Sequence, residues 1–383
     1  MTSPHPPASL YIGLMSGISL DGVDGVLAAF PAAGANTGID TLATAHLPFP
    51  TDLHDALLGL QSSGTDEIER EARVSIALAR LYAATTATLL RQAQLQPAQV
   101  QAIGVHGQTI RHRPELGYSR QTNHPALLAE LSGIDVIADF RSRDIAAGGQ
   151  GAPLVPAFHQ AVFGAAAHTR VVLNIGGISN ISILPAAGNA MAVTGFDTGP
   201  GNVLMDAWML QQRGHRYDAD GAWGASGQAN PALLARLRED PFFALAPPKS
   251  TGRDLFHLTW LESRLAALPG LAAADVQATL AAFTATTIAD AIAHHAADAR
   301  MVYVCGGGAY NGHLLRQLAA ALQVRTHPAS VTTTAALGVA PDHVEALAFA
   351  WLAQRFTTRQ AGNLAAVTGA RGPRILGALY PAG

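Results

Sequence analysis

Short apolar runs that end in glycine-rich polar turns recur along the chain, and their order predicts an α/β fold. A first β-hairpin is predicted from the apolar runs at 10–15 and 26–30, joined by a polar turn at 16–25. A second is predicted over 170–184, with Gly176 and Gly177 at its turn. Apolar residues at helical spacing over 65–94, including Ile68 and Ile76, and over 275–292 predict two long scaffold helices.

The length of 383 residues predicts two domains, because single hydrophobic cores stop growing at roughly 250–300 residues. We predict an N-terminal lobe over 1–142 that carries the first glycine turn. A C-terminal lobe is predicted over 143–341, carrying the second glycine turn, an acidic loop near 197 and a run of glycines at 306–308. A final helix and tail, 342–383, are expected to return toward the N-terminal lobe.

Charge and cysteine content narrow the class of partner. The chain has 24 basic and 27 acidic residues, a net charge of -3, so no nucleic-acid or anionic-lipid partner is expected. The single cysteine, Cys305, excludes an intramolecular disulfide. Neither a signal peptide nor a transmembrane run is recognisable, which predicts a cytoplasmic protein with small-molecule ligands. The surface composition is compatible with a homodimer.

The stretch at 195–202 presents an acid, Asp197, among small and rigid residues directly after an apolar run at 191–193. Small residues let a ligand approach the backbone while the carboxylate faces it, which is how a general base is presented. An Asp in an ordinary Asx-turn is the structural alternative. A helix predicted from Asn202 would place its open amides against this loop, where they stabilise an anion.

The first glycine turn is longer and more polar than chain reversal requires. Its amides can cradle phosphate oxygens, and Asp21 or Asp24 can hold the water shell of a magnesium ion. An ordinary long hairpin loop is the alternative.

Polar clusters follow two other predicted strands, at 100–105 and 135–140. Open α/β sheets bind ligands at the carboxyl ends of their strands, so His106, Gln108, Asp139 and Arg141 are candidate site residues. Structural hydrogen bonding is an equally good interpretation for such residues. A zinc hydrolase is disfavoured because the spacing of the histidines at 106, 112, 124 and 159 matches no compact ligand motif.

Three consecutive glycines, Gly306, Gly307 and Gly308, follow the predicted strand at 301–305 and precede a helix from about 312. Such a junction permits close approach by a flat ring, whereas helix–strand packing seldom needs more than one glycine. Two phosphate-suited hairpins followed by this element predict two lobes that grip ATP in the cleft between them. The arrangement resembles the actin, hexokinase and heat-shock ATPase fold, of ribonuclease H type.

Particular sequence motifs narrow the resemblance to one family. The chain resembles the anhydro-N-acetylmuramic acid kinases from about residue 11 to its C-terminus. The motifs that carry this resemblance are MSGISLDGVD at 15–24, HGQT at 106–109, ADFR at 138–141, GGQGAP at 148–153, NIGG at 174–177, GFDTGPGN at 195–202, CGGG at 305–308, VEA at 344–346 and NLAAVTGA at 363–370.

This resemblance implies a bacterial cytoplasmic enzyme of cell-wall recycling. With ATP and water, it would convert 1,6-anhydro-N-acetylmuramic acid to N-acetylmuramic acid 6-phosphate. It implies Asp197 as catalytic base and Asp21 as the residue nearest magnesium. The expected nucleotide-binding residues are Gly17, Ile18, Ser19, Leu20, Asp21, Gly22, Val23, Asp24, Gly176, Gly177, Gly306, Gly307, Gly308 and Asn311. The expected sugar-binding residues are His106, Gln108, Arg141, Thr198, Gly199, Asn202 and Glu345.

Two departures from the family pattern stand out. Ile18 replaces the usual threonine of the first turn, so a hydroxyl contact there would have to come from Ser16 or Ser19. The segment 120–125 also differs from the usual wording, which bears on the loop near the sugar. Alternatives are a kinase of the same fold for another amino sugar or hexose, an ATPase that switches a partner-binding surface, and a two-lobed protein with inert glycine turns.

Overall fold

The computed structural model describes residues 8–17, 20–31, 38–189 and 191–383. The chain forms two compact units, unit 1 (Met1–Val162 and His343–Gly383) and unit 2 (Phe163–Asp342). It leaves unit 1 after Val162, whereas the sequence-based division was placed after residue 142. The difference arises because the glycine-rich segment 148–151 packs within unit 1, against the side chain of Asp144.

Thirteen strands are found in the described part of the chain. They are β1 (Ser9–Met15), β2 (Gly22–Phe30), β3 (Asp40–Pro48), β4 (Val100–Val105), β5 (Gln108–Arg113), β6 (Tyr118–Thr122), β7 (Val136–Ala138), β8 (Arg170–Ile175), β9 (Ile178–Leu184), β10 (Thr194–Pro200), β11 (Met301–Cys305), β12 (Ser330–Thr333) and β13 (Ala378–Tyr380).

The same described residues form thirteen α-helices. They are α1 (Thr51–Gly59), α2 (Glu67–Ala93), α3 (Pro125–Ser132), α4 (Ser142–Ala146), α5 (Val155–Phe163), α6 (Val203–Arg213), α7 (Ala222–Ser226), α8 (Pro231–Arg238), α9 (Leu258–Leu265), α10 (Ala273–His295), α11 (Gly312–Val324), α12 (Val344–Thr357) and α13 (Ala365–Thr368).

The main sheets of the two units share one topology. In unit 1 the strand order is β13-β7-β4-β1-β2-β3, and in unit 2 it is β10-β9-β8-β11-β12. The first three strands of each unit pair antiparallel, and the next two add in parallel on the other side of the first strand. With β13 set aside, both sheets therefore have the order third, second, first, fourth, fifth.

Helix α12 lies directly on the sheet of unit 1 because two strand glycines leave room for it. A Cβ atom on Gly13 of β1 would collide with the carbonyl oxygen of Ala346, and one on Gly104 of β4 with that of Phe349. Glycine weakens a strand interior and is found there where another backbone approaches closely. The two glycines thus bring Glu345, at the start of α12, to the sheet of unit 1.

The two long helices predicted from sequence are present, but only one buries the predicted face. In α10 the predicted apolar residues, Val276 to Ile292, are buried in the core of unit 2. This helix is long and apolar enough to cross a membrane, yet 72% of its apolar window is buried in the protein. In α2 the prediction is wrong, because Ile68 is 89% exposed and the buried face is formed by residues such as Leu78, Tyr82 and Leu89.

Candidate active site

The first glycine turn, in unit 1, is shorter than predicted. Pairing of Asp24 with Met15 and of Gly22 with Pro48 of β3 extends β2 back to Gly22, so the turn covers only 16–21. Asp24 lies in the strand, where its carboxylate pairs with His46 Nδ1 at 2.7 Å. Asp21 is left exposed at the turn. The predicted nucleotide contacts of Ile18 and Ser19 lie outside the described residues.

Side chains from neighbouring elements hold this turn. Gln108 Nε2 donates to the carbonyl oxygen of Gly17 at 3.0 Å, so Gln108 supports the turn, and its buried Oε1 has no partner among the described residues. The buried hydroxyl of Ser16 lies 2.7 Å from Tyr82 Oη and donates to the Gly107 carbonyl at 3.2 Å. Ser16 is therefore engaged inside unit 1 and does not replace the hydroxyl that Ile18 lacks.

His106 and Arg141, from the ends of β4 and β7, are brought together as predicted for strand-end residues. Arg141 Nη2 donates to His106 Nε2 at 2.8 Å, and Nη1 donates to the Gly151 carbonyl at 2.7 Å. Burial, with the Arg141 charge, lowers the pKa of His106 to about 3, so the imidazole is neutral and carries its proton on Nδ1. Burial lowers the pKa of Arg141 to about 10, while the charges of Glu345 and Asp144 oppose that shift.

Asp144 is a buried acid of unit 1 that the sequence analysis did not single out. Its carboxylate accepts from the Gly151 amide at 2.8 Å, Asn363 Nδ2 at 2.7 Å and Thr368 Oγ1 at 2.8 Å. Through these contacts the glycine-rich segment 148–151 and the C-terminal NLAAVTGA motif both bind the Asp144 carboxylate. Gly151 in turn accepts from Arg141, so Asp144 fixes the backbone that positions Arg141.

In unit 2, Asp197 lies in a strand and not in the predicted loop. It belongs to β10, the edge strand, and pairs with Asn180 of β9, with a bulge between Asp197 and Gly199. Asn180 pairs in turn with Asn174 of β8. Because cross-strand partners share a face, these three polar residues form a row across the sheet. Asn174 and Asn180 each lie three residues from Gly177, and this symmetry was the available sequence signal for the row.

The segment 249–251 covers the edge of β10 and holds Asp197. The Asp197 amide donates to the Lys249 carbonyl at 3.1 Å, and the Thr251 amide donates to Asp197 Oδ2 at 2.9 Å. Burial raises the pKa of Asp197 to about 6, and the Thr251 hydrogen bond opposes the rise. At neutral pH this carboxylate is ionised and more basic than an exposed Asp.

The second glycine turn is packed against the start of α6. The amides of Gly201 and Val203 donate to the Gly177 carbonyl, and that of Asn202 donates to the Gly176 carbonyl. The amides of Asn202 and Val203, at the start of this helix, are therefore occupied. The Asn202 side chain is engaged as well, since Nδ2 donates to the Ile175 carbonyl at 3.2 Å.

Thr198 and Gly199, predicted as sugar contacts, have structural partners within the sheet. The Thr198 hydroxyl is buried and lies 2.6 Å from Ser179 Oγ, so any ligand contact from this residue must come from its backbone. Gly199 has φ of 135° and a Cβ there would lie 2.8 Å from Phe243, which explains why glycine occupies the bulge.

Two of the three consecutive glycines are required by packing, contrary to the expectation of at most one. A Cβ on Gly306 would collide with Asn174 Oδ1, and one on Gly308 with the side chain of Ile175. Gly307 is exposed, and the nearest neighbour of a Cβ there, Asn202 Nδ2, would be 3.9 Å away. Asn311 caps α11, since its Oδ1 accepts from the Leu314 amide at 2.9 Å. Only Gly307 is thus left open to a ligand.

Arg253 is a further cation near the second glycine turn. A Cβ on Gly177 would lie 3.8 Å from Arg253 Nη2, and the exposed guanidinium forms no ion pair among the described residues. Burial raises the pKa of the nearby Asp206 to about 7, and the Arg253 charge opposes the shift. A single segment, 249–253, therefore reaches from Asp197 to the glycine turn.

Within the described parts of the chain, no group of three or more His, Cys, Asp or Glu side chains could hold a metal ion. Magnesium has other requirements, because it is usually held by one or two carboxylates together with water and substrate phosphates. The exposed carboxylate of Asp21 at the first glycine turn fits that mode of binding.

The repeated strand order, with a glycine turn after the first strand of each unit, defines the two-lobed actin-like ATPase fold of ribonuclease H type, which confirms the predicted fold class. Among solved structures, the chain is similar to the activator of the 2-hydroxyisocaproyl-CoA dehydratase from Clostridium difficile, with a TM-score of 0.48, 14% identity and coverage of 91% of this chain and 96% of that chain.

The family model described as anhydro-N-acetylmuramic acid kinase matches residues 9–382. A protein of that name from Cupriavidus pinatubonensis is 59% identical over 377 residues, covering 97% of this chain and 98% of its own. Another from Burkholderia thailandensis is 56% identical over 386 residues and covers 100% of both. The chain belongs to the anhydro-N-acetylmuramic acid kinase family. The predicted enzyme class, an ATP-dependent sugar kinase with small-molecule substrates, is confirmed.

Proposed function

We propose that this chain phosphorylates 1,6-anhydro-N-acetylmuramic acid at O6 with ATP while water opens the anhydro ring. The product is N-acetylmuramic acid 6-phosphate, an intermediate of peptidoglycan recycling. The observation that carries the proposal is the carboxylate of Asp197, which is partly buried, held by the Thr251 amide and raised in pKa, in a chain of this family.

Asp197 acts as the general base. It takes a proton from water as the water oxygen attacks C1, and the C1–O6 bond breaks. The freed O6 attacks the γ-phosphorus in line and ADP leaves, so one base serves both bond changes. A pKa of about 6 suits this task, because the group is ionised at pH 7 yet holds a proton better than an exposed Asp.

ATP phosphates are assigned to the two glycine turns, and the adenosine to the open backbone at Gly307. Gly17 and Asp21 belong to the turn of unit 1, and Gly176 and Gly177 belong to the turn of unit 2. Magnesium, when bound near Asp21, supplies neutralisation of the charge on the phosphates. Gln108 contributes by holding the Gly17 carbonyl in place.

Arg253 is proposed to stabilise the phosphoryl group during transfer. Its guanidinium is next to the Gly177 turn, and the same segment holds Asp197 through Thr251. A fixed cation placed where negative charge develops accelerates phosphoryl transfer.

The sugar is assigned in unit 1 to His106, Arg141 and Glu345. The neutral imidazole and the guanidinium are hydrogen bonded to each other, and the Glu345 carboxylate is close enough to influence the Arg141 pKa. Together they offer donors and acceptors to the hydroxyl, amide and carboxylate groups of the substrate. The nature of the substrates favours a cytoplasmic location, and the homodimer stays a prediction.

Turnover in water enriched in oxygen-18 tests the function. The full chain, ATP, magnesium and the anhydro sugar should give ADP and a sugar phosphate that carries the label at C1. Labelling must be read at early times, because the free anomeric hydroxyl exchanges with water. Phosphorylation of a hexose or of another amino sugar, without reaction of the anhydro sugar, would favour the alternative kinase. ATP binding without any phosphorylated sugar would contradict both.

A further inference from the structure

Unit 1 contains a cavity of about 410 Å³ that the proposed reaction does not use. Three arginines, Arg143, Arg359 and Arg374, line it together with an apolar wall formed by Phe356, Pro373 and Ile375. Phe356 is near the C-terminal end of α12, about 16 Å from Glu345 at the start of that helix, given a rise of 1.5 Å per residue. Glu345 therefore lies far from Phe356, whereas Arg143 of the cavity is only two residues from Arg141 in the chain.

The arginines of this cavity have no acidic partner among the residues that the structure describes. Other arginines of unit 1 do, since Arg111 pairs with Glu67 at 2.6 Å and Arg120 with Glu71 at 2.9 Å. The one side-chain hydrogen bond found for the cavity arginines is from Arg374 Nη1 to the neighbouring Pro373 carbonyl, at 2.8 Å. Three like charges around one cavity repel each other, and a bound anion would relieve that repulsion.

We propose that this cavity is a binding site for a small phosphate monoester. Guanidinium groups match phosphate oxygens through paired charge-assisted hydrogen bonds. The apolar wall of Phe356, Pro373 and Ile375 gives the carbon skeleton of the ligand a surface, and the volume is within the usual range for small-molecule sites.

A continuous chain of hydrogen bonds leads from the cavity to Arg141. The Arg374 amide donates to Asn363 Oδ1 at 2.7 Å, and Asn363 Nδ2 donates to Asp144 at 2.7 Å. Asp144 accepts from the Gly151 amide at 2.8 Å, and the Gly151 carbonyl accepts from Arg141 at 2.7 Å. Occupancy of the cavity should therefore alter the sugar contact and leave the phosphate turn unaffected. This predicted effect on the sugar contact rests on the proposed role of Arg141.

Calorimetry on the full chain tests the site, with glucose 6-phosphate as the probe at constant ionic strength. Wild-type protein should bind the probe, and glucose should give no heat. Arg359→Ala and Arg374→Ala should each weaken binding about tenfold or more, as expected for loss of a charge-assisted contact. Arg216→Ala, which removes an exposed arginine of unit 2, should leave it unchanged. Absence of binding, or equal binding by the cavity variants, would overturn the site.

A kinetic arm tests the connection to Arg141. Glucose 6-phosphate should shift the KM for the anhydro sugar at least about twofold, with the KM for ATP unchanged, and Arg374→Ala should remove the shift. Binding without any change in the sugar KM would overturn the connection. An inactive enzyme would contradict the proposed function alone, because the calorimetric result still decides the site.

Discussion

Two carboxylates, one in each unit, lie beside glycine-rich backbone and have opposite environments. Asp144 in unit 1 is fully buried and accepts three hydrogen bonds, from Gly151, Asn363 and Thr368. Asp197 in unit 2 is partly buried, and the one hydrogen bond found for its carboxylate among the described residues comes from the Thr251 amide. Asp144 thus has the environment of a structural residue, and Asp197 that of a reactive one.

The difference shows how one chain can hold a buried acid for two purposes. Donors that surround a carboxylate stabilise its charge and fix the backbone around it. A carboxylate that is desolvated but poorly hydrogen bonded holds its proton more tightly, which is useful in a base and costs stability. Substitutions at the two positions should therefore have opposite consequences for stability and rate.

The largest effect is expected on the rate from Asp197→Asn. Removal of the base should lower kcat by at least about 100-fold, the usual contribution of general-base catalysis, with the fold retained. The measurement is steady-state phosphorylation of the anhydro sugar, with circular dichroism as a check on folding. Asp254→Asn, at a neighbouring exposed acid, serves as the control and should keep the wild-type rate. A rate within a few fold of wild type for Asp197→Asn would exclude this residue as the base.

Asp144→Ala should instead reduce stability. It leaves three buried donors without a partner, at about 1–3 kcal/mol each, so the free energy of unfolding should fall by at least about 3 kcal/mol. Urea denaturation measures the change. Asp139→Ala is the matched control, since the exposed Asp139 caps the start of α4 through Ser142 and its loss should cost about 1 kcal/mol. Equal losses in the two variants would contradict the assigned role of Asp144.

Much of the fold could be predicted because strands and glycine turns leave local signals. The hairpin over 170–184 and the strands at 100–105 and 301–305 form as predicted. Strand pairing is not a local property, and the sequence-based prediction therefore placed Asp24 and Asp197 in loops when both lie in strands. Pairing with Met15 draws Asp24 into β2, and pairing with Asn180 draws Asp197 into β10.

Site residues could be predicted where they directly follow a strand, and could not be predicted where they depend on contacts between segments far apart in the sequence. His106 and Arg141 meet as expected because β4 and β7 are parallel neighbours. Asp144 could not be recognised, since its partners Asn363 and Thr368 are more than 200 residues away in the chain. The hydrogen bond from the Thr251 amide to Asp197 likewise joins two separate segments, and no sequence pattern in either segment predicts it.

Arg253→Ala sharpens the comparison within unit 2, because it removes a charge near the base without touching the carboxylate. Loss of a charge-assisted contact to the transferring phosphoryl group should lower kcat about 10- to 100-fold. Arg253→Lys should recover part of that loss, since it restores the charge but not the guanidinium geometry. Arg216→Ala is the control in steady-state assays, and a wild-type kcat in Arg253→Ala would refute the role.

Alanine substitutions at Gly307 and Gly308 should distinguish a glycine that is open to a ligand from one that is required by packing. Gly308→Ala places a methyl group against Ile175 and should destabilise the protein by about 1–3 kcal/mol. Gly307→Ala meets no close neighbour, so its stability should be unchanged while the KM for ATP rises. Thermal melting and ATP titration of the two variants measure these effects. A stable Gly308→Ala protein would show that packing does not require this glycine.

The smallest effect should be a pH-dependent gain of stability in Asp197→Asn. Because the folded pKa of about 6 exceeds the usual value of 3.8, the folded state binds more protons than the unfolded state between these values. The contribution of Asp197 to stability is therefore lost as the pH rises through 6. Since Asn cannot ionise, the variant should melt at a higher temperature than wild type at pH 7.5, and the difference should vanish near pH 4. Asp206 also titrates in this range, but it is present in both proteins and cancels in the comparison. A variant that melts lower than wild type at pH 7.5 would mean that the ionised carboxylate is stabilised by contacts beyond the Thr251 amide.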